Sequence, residues 1–252
     1  MYGFLFRPKW LGFHLLVVVG MVAMVNLGLW QLRRLDQRQE FNAGVEARYD
    51  AVPLPLDDVL GSVSAPKDAE WQPVTASGVY LPDEQFLVVN RSQNGRAGDD
   101  VVTPLQLADR RVLLVNRGFV GLDAVVPDPP RGDVTVVGRL RPSRQRQHIE
   151  IADPESGDLT EVQRIDIPRL QPQLPGPAVP IYIDLMSSRP AEAAGGPQAV
   201  IAPELGEGPH LPYAVQWFIF TICVAVGWVL AVRRSIRTRR QTSAPDAHVR
   251  SP

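Results

Sequence analysis

Histidines are the residues with the most evident chemistry in this chain of 252 residues, which contains four of them. His210 stands directly before an apolar stretch. On a helix it would share a face with Tyr213, Trp217 and Thr221, at spacings of three, seven and eleven. A neutral imidazole nitrogen among aromatic rings at a membrane boundary can bind haem iron. An ordinary interfacial histidine that caps the helix has the same pattern, and the spacing alone favours that second interpretation.

The other three histidines lie in different settings. His14 is near the start of an N-terminal apolar stretch, His148 follows a basic run, and His248 lies in a polar tail. If His14 and His210 are at opposite ends of two helices, about 15 rises of ~1.5 Å separate them, which is roughly 20 Å or more. They therefore cannot ligate one iron within a single chain.

No hydrolytic or metal-binding motif in the sequence is convincing. Ser64 and Lys67 fit Ser-x-x-Lys, in which a lysine base activates a serine, but they lie in a Pro-containing polar segment without a supporting motif. Cys223 is the only cysteine and lies inside the second apolar stretch. This arrangement predicts no disulfide and no Cys-x-x-Cys site for a metal or for thiol exchange. The residues thus give no support for a hydrolase or a metalloenzyme, and a membrane-anchored hydrolase that uses Ser64 and Lys67 is a remote alternative.

Two long stretches without charged residues predict transmembrane helices at residues 10–32 and 210–232. Each exceeds the ~20 residues that cross ~30 Å of hydrocarbon at ~1.5 Å per residue. Trp and Tyr side chains lie near their ends, where aromatic rings favour the membrane interface. No small-x-small cleavage site follows the first stretch, so we interpret it as a retained anchor rather than a signal peptide. Core helices of a soluble protein are the alternative, but these rarely stay uncharged over such a length.

Basic residues beside the two stretches predict the orientation in the membrane. Residues 233–252 begin with five arginines before any acidic residue, and residues 1–9 contain two basic side chains. Both termini are therefore predicted to be cytoplasmic, although Arg33, Arg34 and Arg38 would then lie outside. Only two of the 26 basic residues are lysines, a bias common in GC-rich bacterial genomes, so we expect a bacterial plasma membrane.

Residues 33–209 predict a β-rich extracytoplasmic domain of barrel or sandwich type, and the whole chain is therefore assigned to a membrane α+β class. Short runs rich in Val, Leu and aromatic residues are bounded by Gly, Pro and Asp. The predicted strands are residues 74–81, 85–90, 100–107, 111–119 and 134–140, and residues 161–167 and 179–185 are expected to add one or two more. Before them, the first helix can continue to about Asp50, because Pro53 and Pro55 end it. A loop or short helix is expected over residues 53–70, and the tail over 241–252 is expected to be disordered.

The charge of the intervening segment limits its partners. Residues 31–209 contain 18 basic and 26 acidic residues and carry a net charge of −8. Nucleic acid and anionic lipid surfaces are therefore not expected to bind it. Lipid is expected only around the two apolar stretches.

Several short motifs, taken in order, resemble a known family. The first apolar stretch ends in Leu-Gly-Leu-Trp-Gln-Leu-Arg-Arg-Leu, and the second opens with His-Leu-Pro-Tyr-Ala-Val-Gln-Trp-Phe. The segment between them carries further motifs, which are Gly78–Tyr80, Val89–Arg91, Gly98, Val102–Leu105 and Val112–Phe119. Their order and spacing resemble the Surfeit-locus (Shy-type) family of cytochrome c oxidase assembly factors across nearly the whole chain.

The resemblance implies an assembly function rather than catalysis. Family members have two membrane spans with both ends on the cytoplasmic or matrix side. They assist biogenesis of oxidase subunit I, and bacterial members are linked to delivery or insertion of haem a. The family's proposed haem ligand falls on His210. Phe119 departs from the tryptophan that usually follows Asn-Arg-Gly, so this chain lacks the indole donor at that position.

Two hypotheses follow from the resemblance. In the first, His210 ligates haem iron, while Arg33, Arg34 and Gln31 face the haem propionates or the oxidase. A haem with an apolar tail partitions into the bilayer, and its carboxylates seek cations at the surface.

In the second hypothesis, the protein is a stably bound accessory subunit or chaperone of the oxidase that does not bind haem. The aromatic face of the second apolar stretch then packs on a partner helix. Gly12, Gly20 and Gly28 of the first stretch allow close helix contact.

Overall fold

The computed structural model describes residues 3–147, 150–154 and 156–242. The chain forms two compact units, of which one comprises Met1–Asn42 with Leu205–Pro252 and the other comprises Ala43–Glu204. His148 and most of the predicted disordered tail lie outside the described residues. The predictions made for them therefore stay predictions.

The first unit is built from two long helices. Helix α1 spans Pro8–Arg48, with its last turns in the second unit, and helix α4 spans His210–Thr242. Both are long and apolar enough to cross a membrane. Their apolar side chains face outward: Leu16 is 71% exposed and Ile222 is 62% exposed. A core helix of a soluble protein would bury such residues, so this exposure favours lipid as the surrounding medium.

The two helices pack along a seam of seven-residue period. Buried and half-buried residues recur at alternating spacings of three and four, which is the pattern of a left-handed antiparallel coiled coil. On α1 these residues are His14, Val17, Met21, Met24, Gly28, Gln31, Leu35, Arg38 and Asn42. On α4 they are His210, Ala214, Trp217, Thr221, Val224, Trp228, Ala231 and Ser235. Gly28 lets the helices approach closely, because a Cβ there would lie 2.8 Å from the Phe218 ring.

The second unit is a mixed sheet of eight strands. The strands are β1 (Leu54–Pro55), β2 (Pro73–Tyr80), β3 (Phe86–Gln93), β4 (Arg96–Leu107), β5 (Val112–Gly121), β6 (Asp133–Pro142), β7 (Glu161–Val162) and β8 (Ala178–Arg189). Their order is β1-β2-β6-β8-β5-β4-β3-β7, and β2 also pairs with the last residues of β4. The pairings therefore form a closed ring through β2, β6, β8, β5 and β4.

Period-2 alternation fills two apolar layers, one on each side of the sheet. On β5, Leu113 and Val115 join the first layer, whereas Val112 and Leu114 join the second. Helix α2 (Leu56–Ser62) packs on the first layer and helix α3 (Ile167–Leu170) on the second. Short 3-10 helices occupy Gly3–Phe6, Pro66–Ala69, Pro82–Glu84 and Gln171–Gln173.

Six of the predicted strands and the extension of α1 toward Asp50 are confirmed, with boundaries that shift by a few residues. The strand predicted over residues 161–167 is mostly wrong. Only Glu161–Val162 pair with β3, and Ile167 already opens α3. Pro168 explains the difference, because it lacks a backbone donor and is suited to the first turn of a helix.

Candidate functional site

His210 is the first residue of α4, and its imidazole meets the predicted residue Gln31 on α1. Nδ1 of His210 lies 2.9 Å from Oε1 of Gln31. An amide Oε1 only accepts hydrogen bonds, so Nδ1 carries the proton and donates it. In the neutral ring, Nε2 then bears the lone pair. This is the state in which histidines ligate iron or zinc, held there by a partner on the other nitrogen.

The turn before α4 places a glycine beside Nε2. Gly208 has φ +70°, a left-handed conformation that favours glycine, and a Cβ at this position would lie 3.4 Å from Nε2. Three side chains of α1 hold the adjacent turn. Arg38 Nε donates to the carbonyl of Gly206 at 2.7 Å, Gln39 Nε2 to Glu207 at 2.9 Å, and Asn42 Nδ2 to the carbonyl of Leu205 at 3.2 Å.

Arg33 and Arg34, the other predicted site residues, are both exposed on α1. Arg34 donates to Gln37 Oε1 at 3.2 Å, and its guanidinium lies 5.7 Å from the centre of the Trp30 ring. Neither arginine lies on the seam that contains His210 and Gln31. The cation that does lie there is Arg38, which the sequence analysis considered only for its charge.

The residues predicted to share one face of α4 do not all pack against α1. Trp217 and Thr221 lie on the seam with His210, but Tyr213 is 49% exposed. Ala214 takes the buried position instead and is only 1% exposed. The buried positions of α4 therefore follow the heptad spacing of the seam. They do not follow the spacing of three that leads from His210 to Tyr213.

His14 lies at the other end of the seam, and its Nδ1 accepts a hydrogen bond instead of donating one. Trp228 Nε1 donates to His14 Nδ1 at 2.8 Å. An indole nitrogen is a donor only, so Nδ1 must accept, and the proton of a neutral ring is on Nε2. In their neutral forms, the two histidines thus have opposite tautomers, and they have separate partners along the seam.

In the second unit, called the sheet unit below, the Asn-Arg-Gly motif of β5 has a structural role. Arg117 lies at a bulge opposite β4, has a side chain 0% exposed, and pairs with Glu192 at 2.6 Å. Asn116 Nδ2 donates to Asp184 at 2.9 Å, and its Oδ1 accepts from the backbone N–H of Gly118 at 3.1 Å. Gly118 has φ +125°, where a side chain would collide with the carbonyl of Gln198.

Sequence reasoning missed a row of polar side chains across the outer face of the sheet. Arg91 pairs with Asp100 at 3.3 Å, and Arg141 pairs with Asp184 at 3.4 Å. Asn116 hydrogen-bonds both carboxylates from the strand between them. In the sequence, the only sign of this row is a polar residue at a strand position where the alternating pattern predicts an apolar one. The partners are too far apart in the chain for spacing to connect them.

Burial controls the protonation of both carboxylates in this row. Burial raises the pKa of Asp184 to about 6, and Asp100 adds to the increase, while Arg141 and Asn116 oppose it. Burial likewise raises the pKa of Asp100, against the opposing effect of Arg91. The row of polar side chains thus contains two carboxylates whose pKa values are raised by burial, which favours their neutral forms.

The Ser64–Lys67 hypothesis finds no geometric support. Both side chains are exposed, and no described contact joins them. Within residues 3–147, 150–154 and 156–242, no group of three or more His, Cys, Asp or Glu side chains could hold a metal ion. Cys223 is a free, exposed cysteine on α4.

Comparison with known proteins connects these features to a family. The model of the SURF1 family matches residues 18–222. A SURF1-like protein of Mycobacterium tuberculosis is 31% identical over 249 residues, covering 96% of this chain and 90% of that protein. Human Surfeit locus protein 1 is 27% identical, over 82% of this chain and 73% of its own length. The Saccharomyces cerevisiae protein named cytochrome oxidase assembly protein SHY1 is 30% identical over 142 residues, covering 52% of this chain and 36% of its own length. The region matched by the family model contains Gln31, His210 and the entire sheet unit.

Proposed function

Because this chain belongs to the SURF1 family, we propose that it is a membrane-anchored assembly factor for cytochrome c oxidase, not an enzyme. In this proposal it assists maturation of subunit I and the delivery or insertion of haem a. The name of the yeast relative supports the assembly role. Haem a is the cargo rather than a resident cofactor.

The observation that carries the haem part of the proposal is the His210–Gln31 hydrogen bond. In the neutral ring it leaves the lone pair on Nε2 of His210, at the end of an apolar helix pair and with glycine rather than a side chain beside it. The donor chemistry of this imidazole therefore fits a ligand to haem iron. His210 would hold the iron, and the apolar outer surface of α1 and α4 would accept the haem tail.

Arg33 and Arg34 are the proposed partners for the haem propionates or for the oxidase. They follow Gln31 on α1 by two and three residues and are exposed. Arginine binds carboxylates with paired hydrogen bonds, which suits this role. Arg34 would have to exchange its hydrogen bond with Gln37 for such a partner.

We propose a bacterial plasma membrane with both termini in the cytoplasm. The cluster of arginines after residue 232 and the apolar, outward-facing surfaces of α1 and α4 support this placement. The sheet unit would then lie outside the cytoplasm. The oxidase and membrane lipid are the proposed partners, and nucleic acid is not.

Affinity purification in mild detergent from cells that make haem a tests the function. The proposal expects oxidase subunit I among the co-purified chains and a haem a absorption band in the same fraction. Subunit I without any haem band would favour the second hypothesis, a chaperone or stable accessory subunit that binds no haem. Absence of all oxidase chains would contradict both.

One structural feature fits that second hypothesis. Gly28 faces the chain's own Phe218, but a side chain at Gly12 would meet nothing within 4 Å. Gly12 is thus open to a partner helix, as close packing at small residues requires. Gly20 has only Met24 of its own helix nearby, at 3.9 Å from the position of a Cβ.

A further inference from the structure

Gln31 contacts the imidazole of His210 directly, and this contact suggests a role other than binding a propionate. We propose that Gln31 is a positioning residue that fixes the tautomer of His210, so that Nε2 presents its lone pair to haem iron. The proposal rests on the proposed function of His210 as the ligand. The tautomer itself is a property of the protein without haem.

The direction of the hydrogen bond supports this role. Gln31 Oε1 lies 2.9 Å from Nδ1 and can only accept, so it stabilises the ring that is protonated at Nδ1. Histidine ligands to metals commonly donate their second N–H to such an acceptor, and loss of the acceptor weakens metal affinity about 10- to 100-fold. Gln31 is half-buried on the seam, where packing limits its own movement.

The neighbouring contacts fix the ring in the same orientation. Arg38, Gln39 and Asn42 bind the turn that precedes His210, and Gly208 of that turn lies beside Nε2. The ring is therefore held by an acceptor on its Nδ1 edge and has a glycine beside its Nε2 edge. Gln31 supplies the acceptor, and the turn supplies the glycine.

His14 provides an internal control. It lies on the same seam of α1, but its Nδ1 accepts from Trp228, so its neutral ring is protonated at Nε2. A histidine of that tautomer cannot ligate through Nε2 without losing a proton. The structure therefore assigns opposite tautomers to two histidines in one helix pair, and only the Gln31 partner prepares its histidine to bind iron.

Nitrogen NMR of the haem-free, full-length protein with labelled histidine tests the inference. In detergent, protonated and unprotonated ring nitrogens give well-separated signals, so the spectrum of a neutral ring reports its tautomer. His210→Gln and His14→Gln variants assign the signals. We expect Nδ1–H at His210 and Nε2–H at His14. We also expect Gln31→Leu to shift His210 toward Nε2–H, whereas Gln31→Glu, which keeps an acceptor, preserves the wild-type pattern.

An unchanged His14 signal in Gln31→Leu would show that the helix pair remains folded. With haem a present, Gln31→Leu should bind about tenfold more weakly than Gln31→Glu. Nε2–H at His210 in the wild type, or no change in Gln31→Leu, would overturn the inference. If the tautomers are as expected but His210→Ala keeps its haem, the proposed role of His210 as the haem ligand fails while the positioning of the ring by Gln31 stands.

Discussion

At the scale of single residues, Asn116, Arg117 and Gly118 each have a specific structural role in the second unit. Asn116 connects two carboxylates, Arg117 is a fully buried cation, and Gly118 adopts a backbone conformation that excludes side chains. Phe119 follows them, is 2% exposed, and lies over Gly98, where a Cβ would collide with its ring. This motif, one of those that carry the family resemblance, is therefore a structural one. The proposed haem chemistry belongs to the helix pair.

Loss of the partner of Arg117 should destabilise the protein strongly. Glu192→Ala leaves the buried guanidinium of Arg117 without its carboxylate partner. Removing one member of a buried ion pair lowers the free energy of unfolding by about 3–5 kcal/mol. Glu192→Gln should cost less, because an amide oxygen still accepts. Denaturant unfolding of the full chain in detergent measures both. Equal stability of Glu192→Ala and the wild type would show that Gln85 Oε1 and the carbonyl of Pro127 satisfy Arg117 without a carboxylate.

Asp184 should make stability depend on pH. Its folded pKa of about 6 is above the usual value of 3.8, so between these values the folded state holds a proton that the unfolded state has lost. Stability from this group is therefore greatest below pH 4 and declines as pH rises to about 6, by about 3 kcal/mol at most. Thermal unfolding of Asp184→Asn between pH 4 and 7 should show a shallower decline than the wild type.

Asp128→Asn serves as the matched control for Asp184→Asn. The Asp128 side chain is 78% exposed. This substitution should leave the pH dependence of the wild type intact. A wild-type profile that Asp184→Asn does not change would contradict the assignment.

At the scale of elements, the helix pair depends on Gly28. A larger side chain there collides with Phe218, whereas Gly12 on the same helix has open space. Gly28→Leu should lower the thermal midpoint of the helical circular dichroism signal, since overpacking costs about 1–3 kcal/mol. Gly12→Leu is the matched control and should not. Equal midpoints for the two variants would mean that α1 and α4 do not pack through Gly28.

The elements themselves were largely predictable, but their contacts were not. Uncharged length predicted α1 and α4, and alternating apolar residues predicted strands such as β5 and β8. The haem hypothesis grouped Gln31 with His210, and the structure brings these two side chains into contact. The pairing of β2 with β4 was not predictable, because strand partners depend on the global topology. The tautomer of His210 was not predictable either, because it depends on which atom of Gln31 faces the ring.

At the scale of the whole molecule, the proposal places the sheet unit and the C-terminal arginines on opposite sides of a membrane. Single-cysteine variants in a Cys223→Ser background test this with a maleimide that cannot cross membranes. Asp128→Cys in the sheet unit should react in intact bacterial spheroplasts. Thr238→Cys near the end of α4 should react only after permeabilisation. The reverse pattern would invert the topology, and reaction of both in intact cells would contradict a membrane span by α4.

The central claim is that His210 holds haem a. Its most direct test is the haem a content per protein of wild type, His210→Ala and His14→Ala, purified identically from cells that make haem a. The two histidines lie on the same helix pair but have opposite tautomers. We predict similar haem content in the wild type and His14→Ala, and at least a tenfold loss in His210→Ala. Unchanged haem in His210→Ala would contradict the claim.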